Sequence, residues 1–244
     1  MKIIHKIVAK ADGMTLAKTP IPTIAFLGDS VTQGCFEGFM SGERTTDGVY
    51  ESSSAYHAIL KEMLSHIYPK APITFINAGI AGENSSGGLA RLERDVLSHH
   101  PDLTVVCFGL NDSNWGMEGI ARYEENLRTI FKRLKEVDSE IIFMTPNMLN
   151  TRVLYTLKEP LLREAAERLM RIQNEGVMDA YMEAARKVAK ECAVPVCDVY
   201  AKWKKMASYG TDTTLLLGQG LNHPTRQMHS LFAHSLLETM FEAE

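Results

Sequence analysis

The sequence predicts an α/β fold, a three-layer α/β/α sandwich built on five parallel strands, and three observations carry that expectation. Five short runs are apolar on both faces, as strands of a sheet covered on each side must be. Longer segments between them repeat their apolar residues at helical spacing. Alternation of the two is the pattern of right-handed strand–helix–strand units wound on an open sheet.

The five runs are "TIAFL" (23–27), "ITFIN" (73–77), "LTVVCF" (103–108), "IIFMT" (141–145) and "VPVCDV" (194–199). After the first run, Tyr56, Ile59, Leu60, Met63, Leu64 and Ile67 form one helical stripe. Ile120, Tyr123, Leu127, Ile130, Phe131 and Leu134 form another beyond the third run. Val177, Tyr181, Ala185, Val188 and Cys192 precede the last run, and Met228, Leu231, Phe232 and Leu236 close the chain. Five strands so connected suggest the flavodoxin-like order 2-1-3-4-5. Residues 1–20 alternate instead and carry Asp12-Gly13, so they are expected to form a hairpin-like extension. Residues 21–244 are expected to form a single domain, because no linker, charge block or repeat divides them.

Charge narrows the classes of function. The 244 residues hold 26 Lys and Arg against 30 Asp and Glu, with no basic stripe, so nucleic acid and anionic membranes are poor partners. Lys202, Lys204 and Lys205 fit a solvated helix face. No apolar run reaches the length of a membrane span, and no export signal is evident at the amino terminus. Four cysteines, Cys35, Cys107, Cys192 and Cys197, lack zinc-type or redox spacing. A cytoplasmic protein is the expectation.

A doubly wound sheet places ligands beyond the carboxyl ends of its strands. There the chain carries Gly28-Asp29-Ser30, then "AGIAGENSSGG" (78–88), "GLNDSNW" (109–115) and "PNMLN" (146–150). A serine, a glycine-rich loop and an asparagine thus converge on one edge. Ser30 becomes a nucleophile if a base reaches it and donors await the oxyanion. The Ser30 and Gly82 amides and the Asn111 side chain are the candidate donors. Each residue also has an ordinary reading, as turn, loop glycine or helix cap. Asp29 is expected to hold the turn rather than move protons.

Of eight histidines, His57, His66, His229 and His234 belong to helical stripes or their flanks, His99 and His100 end a helix, and His5 lies in the terminal extension. His223 differs, standing in "GQGLNHPT" directly before a proline that opens the last helix. It is the candidate base. The Gly-x-Ser-x-Gly elbow is absent because Thr32 occupies the second glycine position, and no Walker, dinucleotide or His-Glu-x-x-His motif is present.

These blocks, "GDS" at 28–30, "NAGIAGENSSGGLARL" at 77–92, "GLND" at 109–112 and "HP" at 223–224, resemble the SGNH hydrolases, also called the GDSL esterase/lipase family. They occur in family order and span most of the chain. The resemblance implies the SGNH hydrolase fold, ester hydrolysis through an acyl-enzyme, no metal or organic cofactor, and the family's four residues at Ser30, Gly82, Asn111 and His223. The last block departs from the pattern. Where the family usually has an aspartate three residues before the histidine, this chain has Gly220. A backbone carbonyl near Gly220 or Leu221 is expected to orient the imidazole instead, with Asp198 and Asp212 as rival acids and Asn222 at most positioning.

Three polar loops, 35–53, 146–160 and 206–220, are expected to shape the cleft, and Phe36, Phe39, Tyr50, Trp115 and Tyr155 are candidates to stack on a sugar. The expected substrate is a small ester, with acetyl on a carbohydrate preferred. A thioesterase or lysophospholipase would use the same residues, and a flavodoxin-like binding module would need no base opposite Ser30.

Overall fold

A computed structural model of the protein describes residues 1–12, 19–43 and 45–243. Its main sheet consists of β1 (Thr23–Gly28), β4 (Thr74–Gly79), β5 (Leu103–Cys107), β6 (Glu140–Met144) and β7 (Val196–Cys197). All neighbours are parallel and the order is β4-β1-β5-β6-β7. In chain order of these five strands this is 2-1-3-4-5, as the sequence predicts. Central β1 and β5 are buried almost throughout, which is why their runs carry no polar alternation. The last run is far shorter as a strand than expected, since only two residues of it pair.

The helices form two layers. On one side α3 (Tyr56–Ile67) packs against α9 (Arg226–Glu242), with α8 (Val199–Ser208) beside it. Phe26 of β1 meets Tyr56 edge-on at 5.8 Å, and Tyr56 stacks on Phe232 at 5.9 Å, so one aromatic column joins sheet, α3 and α9. On the other, α4 (Ser85–Asp95), α5 (Ile120–Glu136) and α7 (Val177–Glu191) pack together, and Phe131 meets Phe143 of β6 at 6.0 Å. An additional helix, α6 (Pro160–Asn174), packs on α7 and borders the cleft described below.

Two segments differ from the sequence reading. The amino-terminal residues form no strand over Lys2–Ala11 but a helix, α1. Ile3 and Ile7 lie one turn apart and are fully buried in the main core, so the apolar spacing serves a helix better than a strand. The Glu140 carboxylate accepts from the backbone N–H groups of Lys2 (2.8 Å) and Ile3 (2.6 Å), which satisfies the exposed donors of the first turn. Asp12 ends this helix, and residues 13–18, on which part of the expected hairpin falls, lie outside the described residues. The second difference is in the 35–53 loop, which is an antiparallel hairpin of β2 (Cys35–Met40) and β3 (Thr46–Tyr50), separate from the main sheet.

Candidate active site

The short helix α2 (Ser30–Gln33) begins where β1 ends. Asp29 caps it, its carboxylate accepting from the Val31 N–H at 2.9 Å. The Gly-Asp-Ser turn therefore serves both readings at once: it caps a helix and it presents Ser30 as that helix's first residue. Burial pushes the Asp29 carboxyl up to about 7, with a small further push from Asp112, so this group is built into the turn rather than open to solvent.

Ser30 Oγ lies 2.9 Å from Nε2 of His223, although 193 residues separate them. The histidine sits in a loop closed on itself: Leu217 bridges Pro224, and the Gly218 N–H donates to the His223 carbonyl at 2.8 Å. Asn147 Nδ2 donates to the Asn222 carbonyl at 2.8 Å, and the Asn150 N–H to that of Leu221 at 3.1 Å, fastening the loop to the chain that follows β6. With Nε2 at Ser30, the ring's other nitrogen is left for the Phe36 carbonyl, the backbone group to which the imidazole hydrogen-bonds. Desolvation pushes the imidazole down to about 4, against smaller raising contributions from that bond and from the Glu37 charge.

Here the structure corrects the sequence reading. The backbone carbonyl that hydrogen-bonds the imidazole belongs to Phe36 on β2, not to Gly220 or Leu221. The rival acids are committed elsewhere. Asp198 caps α8 and takes Arg186 on both oxygens (2.8 and 3.1 Å); burial opposes its ionisation, yet the Arg186 partnership holds it below the ordinary range. Asp212 pairs with Arg152 at 2.7 Å and accepts from the Thr214 N–H. Neither lines the cleft that holds Ser30 and His223.

That cleft, about 400 Å³, is also lined by Gly82 and Asn111, so the four sequence candidates meet in one place. Gly82 has φ +77°, a left-handed conformation that favours glycine, and a Cβ there would meet nothing within 4 Å, so conformation rather than crowding selects the residue. Among the described residues, neither the Gly82 nor the Ser30 N–H has a hydrogen-bond partner. Asn111 donates from Nδ2 to the Glu83 carbonyl at 2.8 Å; this fixes the amide plane and leaves a second N–H on the same nitrogen. The geometry offers a hydroxyl, a neutral base and three donors around one open volume, which is what acyl transfer needs.

Sequence reasoning missed the scaffolding beneath. Arg91 of α4 is only 7 % exposed, and its guanidinium donates to the carbonyls of Ala78 (2.6 Å) and Gly28 (2.8 Å). It thereby locks the carboxyl ends of β4 and β1 together, directly under Ser30 and the Gly82 turn. Asp112, next to Asn111, accepts from the N–H and hydroxyl of Ser85, tying the asparagine loop to α4. Of the five aromatics expected to face substrate, Tyr50 alone lines the cleft; Phe36 is buried, and Trp115 lies under the Arg122 guanidinium at 4.5 Å. His57 and His229 are core residues, as expected, and the His229 Nδ1 accepts from the Tyr56 N–H at 3.0 Å.

A serine at the end of the first strand of a 2-1-3-4-5 sheet, met by a late histidine among amide donors, defines a serine hydrolase of the flavodoxin-like type. The model of the GDSL-like Lipase/Acylhydrolase family matches residues 26–231. The chain belongs to that family, and it is an ester hydrolase. It is 25% identical to an acetylxylan esterase of Geobacillus stearothermophilus over 224 residues, covering 88% of this chain and 91% of that one. It is 28% identical over 131 residues to the thioesterase 1/protease 1/lysophospholipase L1 of Escherichia coli K12, covering 54% of each chain. The crystal structure of the Geobacillus esterase superposes with a TM-score of 0.64 at 23% identity, covering 90% of this chain and 94% of that one. That of a lipase/acylhydrolase from Enterococcus faecalis gives 0.65 at 22% identity, covering 90% and 95%. No helix among the described residues is long and apolar enough to cross a membrane.

Proposed function

We propose that the protein is a short-chain acyl esterase, acting on acetyl groups carried by a carbohydrate or another small alcohol, with Ser30 as nucleophile and His223 as base. The observation that carries this reading is the 2.9 Å contact between Ser30 Oγ and His223 Nε2 at the floor of a cleft bordered by Gly82 and Asn111. Nε2 takes the hydroxyl proton as Oγ bonds to the acyl carbon. The Ser30, Gly82 and Asn111 N–H groups hold the resulting oxyanion. Collapse of the tetrahedral adduct breaks the bond to the alcohol oxygen, which leaves with the proton from Nε2. Water, deprotonated by the same nitrogen, then attacks the acyl-serine and releases the acid.

The cleft volume is at the small end for ligand sites, and its wall mixes Asp47, Asn114 and Arg168 with Leu162 and Leu169, which suits a polar alcohol bearing a short acyl group. The full-length similarity to an acetylxylan esterase supports the acetyl choice. Four free cysteines support keeping the reaction in the reducing cytoplasm. A second reading, acyl thioester or lysophospholipid hydrolysis, is favoured by the apolar patch of Leu162, Ala165, Leu169 and Leu221 and by the Escherichia coli relative, matched over 54% of its length.

The test is labelling with a fluorophosphonate probe, followed by a nitrophenyl ester series from acetyl to palmitoyl with acetylated xylo-oligosaccharide and acyl-CoA alongside. The expected result is labelling lost in Ser30→Ala and activity falling steeply beyond butyryl. A folded protein that takes no label would overturn the catalytic assignment, and a maximum at long acyl chains would overturn the acetyl preference.

A further inference from the structure

Gly220 poses a physical problem: with no carboxylate at that position, something else must hold the His223 ring. Gly220 has φ +66°, where an L side chain is strained, and a Cβ there would stand 2.5 Å from Leu154 Cδ1. A side chain at 220 would need a left-handed backbone and a shift of Leu154, so this loop suits glycine there.

What meets the ring comes from the β2–β3 hairpin. The Phe36 carbonyl takes the imidazole's second hydrogen bond, and the next residue, Glu37, is the carboxylate whose charge favours the imidazolium. Both are gripped by Arg226, three residues beyond His223. Its guanidinium binds Glu37 through two nitrogens (2.6 and 3.2 Å) and Glu51 through Nε (2.7 Å), and lies over the Phe36 ring at 4.4 Å. His229, one turn further along α9, packs on the same ring at 4.8 Å. A second tie, from the Gly38 N–H to Gln219 Oε1 at 3.0 Å, joins the hairpin to the histidine loop. The charged residues that line the cleft, Asp47 on β3 and Arg168 on α6, are of opposite sign; Glu37 is the carboxylate that acts on the ring, and the buried His229 is the other titratable group facing it.

We propose that the hairpin supplies the third member of the catalytic group: the Phe36 carbonyl orients His223, Glu37 stabilises its cation, and Arg226 is the positioning residue that holds both. The aspartate's two tasks, aiming the ring and offsetting its charge, are divided between a backbone oxygen and a neighbouring side chain. This rests on the Ser30–His223 reading above. The division has a consequence: the hairpin edge that lines the cleft through Gly38, Thr46, Asp47, Gly48 and Tyr50 also sets the base. A ligand that presses on that edge therefore acts on the chemistry as well as on binding.

Three variants separate this from a merely structural role. Glu37→Gln removes the charge and keeps the shape. It should lower the acid limb of kcat/KM by roughly half a pH unit and reduce kcat a few-fold, with KM little changed. Arg226→Met should lower kcat about 10- to 100-fold, with partial recovery in Arg226→Lys, while the melting temperature moves little because these ion pairs are partly exposed. Gly218→Ala brings a Cβ to 2.3 Å from the Phe36 oxygen and must displace it. It should lower kcat and shift the nitrogen-15 signals of the His223 ring away from the Nδ1–H tautomer. Circular dichroism checks that each variant is folded. If wild type is labelled by fluorophosphonate while folded Glu37→Gln and Gly218→Ala keep its kcat, acid limb and ring tautomer, the hairpin assignment fails and the esterase reading stands. If wild type itself takes no label, the failure lies in the reading beneath.

Discussion

Proton concentration is the cleanest perturbation of this site. The base must be neutral to accept the Ser30 proton, so protonation of His223 switches activity off. An ordinary imidazole titrates at 6.5, whereas desolvation of His223 pushes it down to about 4. A lowered value extends activity toward acid. At pH 5.5 a ring titrating at 6.5 would be only about 10% neutral, and one titrating near 4 would be about 97% neutral, a difference of roughly tenfold in rate. The assay is kcat/KM for a non-ionising acetate ester between pH 4 and 8, with released acetate measured chromatographically so that the nitrophenol titration does not intrude (about pH 7). Because kcat/KM reports the free enzyme, its acid limb should lie below about pH 5.5. Two neighbouring carboxyls also titrate in this range, Asp29, raised to about 7 by burial, and Asp112, raised to about 6 by burial. Asp29→Asn and Asp112→Asn separate these carboxyls from the base, since each leaves the imidazole limb in place. An acid limb between pH 6 and 7 that survives both Asp29→Asn and Asp112→Asn in folded, probe-reactive protein would refute the claim that the ring is desolvated.

Asn111→Ala removes the side-chain oxyanion donor and should cut kcat by about a hundred- to a thousandfold with a small change in KM, read from steady-state kinetics. Arg91→Met leaves the carbonyls of Gly28 and Ala78 without their charged donor. Urea titration should show a loss on the order of 2–4 kcal/mol, and activity should fall with the loosened strand ends. Asp198→Asn and Asp212→Asn, whose partners are Arg186 and Arg152, should each keep activity within about threefold of wild type. A loss matching that of His223→Ala would return one of them to the site.

Much of this architecture can be read from residues because its signals are local. Five doubly apolar runs report a covered parallel sheet, and a sheet of that order dictates which loops share an edge. Ser30, Gly82 and Asn111 could be gathered from three distant segments for that reason, and His223 by its place in a glycine-marked loop before a proline. The amino-terminal helix escaped notice because its decisive partner, the Glu140 carboxylate, is distant in the chain and leaves no mark beside Lys2 and Ile3. The β2–β3 hairpin escaped because most of its residues are at least partly exposed, so no apolar alternation marks its strands.

The third member of the catalytic group was invisible for a deeper reason. Every residue owns a carbonyl, so the sequence cannot show which one will face an imidazole. What it does contain is the fixture: Glu37, Glu51 and Arg226, ordinary surface charges when read singly. Their meaning appears only when folding brings the start of α9 against the hairpin, and the guanidinium spans both acids while covering Phe36. A glycine at position 220 suits the loop's left-handed backbone beside Leu154 better than the usual aspartate would. The charge it would have carried sits instead on Glu37, beside the oxygen that aims the ring. A chain pairing Gly220 with an uncharged residue at 37 should therefore be a weaker esterase than either this protein or a relative with the aspartate, whatever the state of its serine.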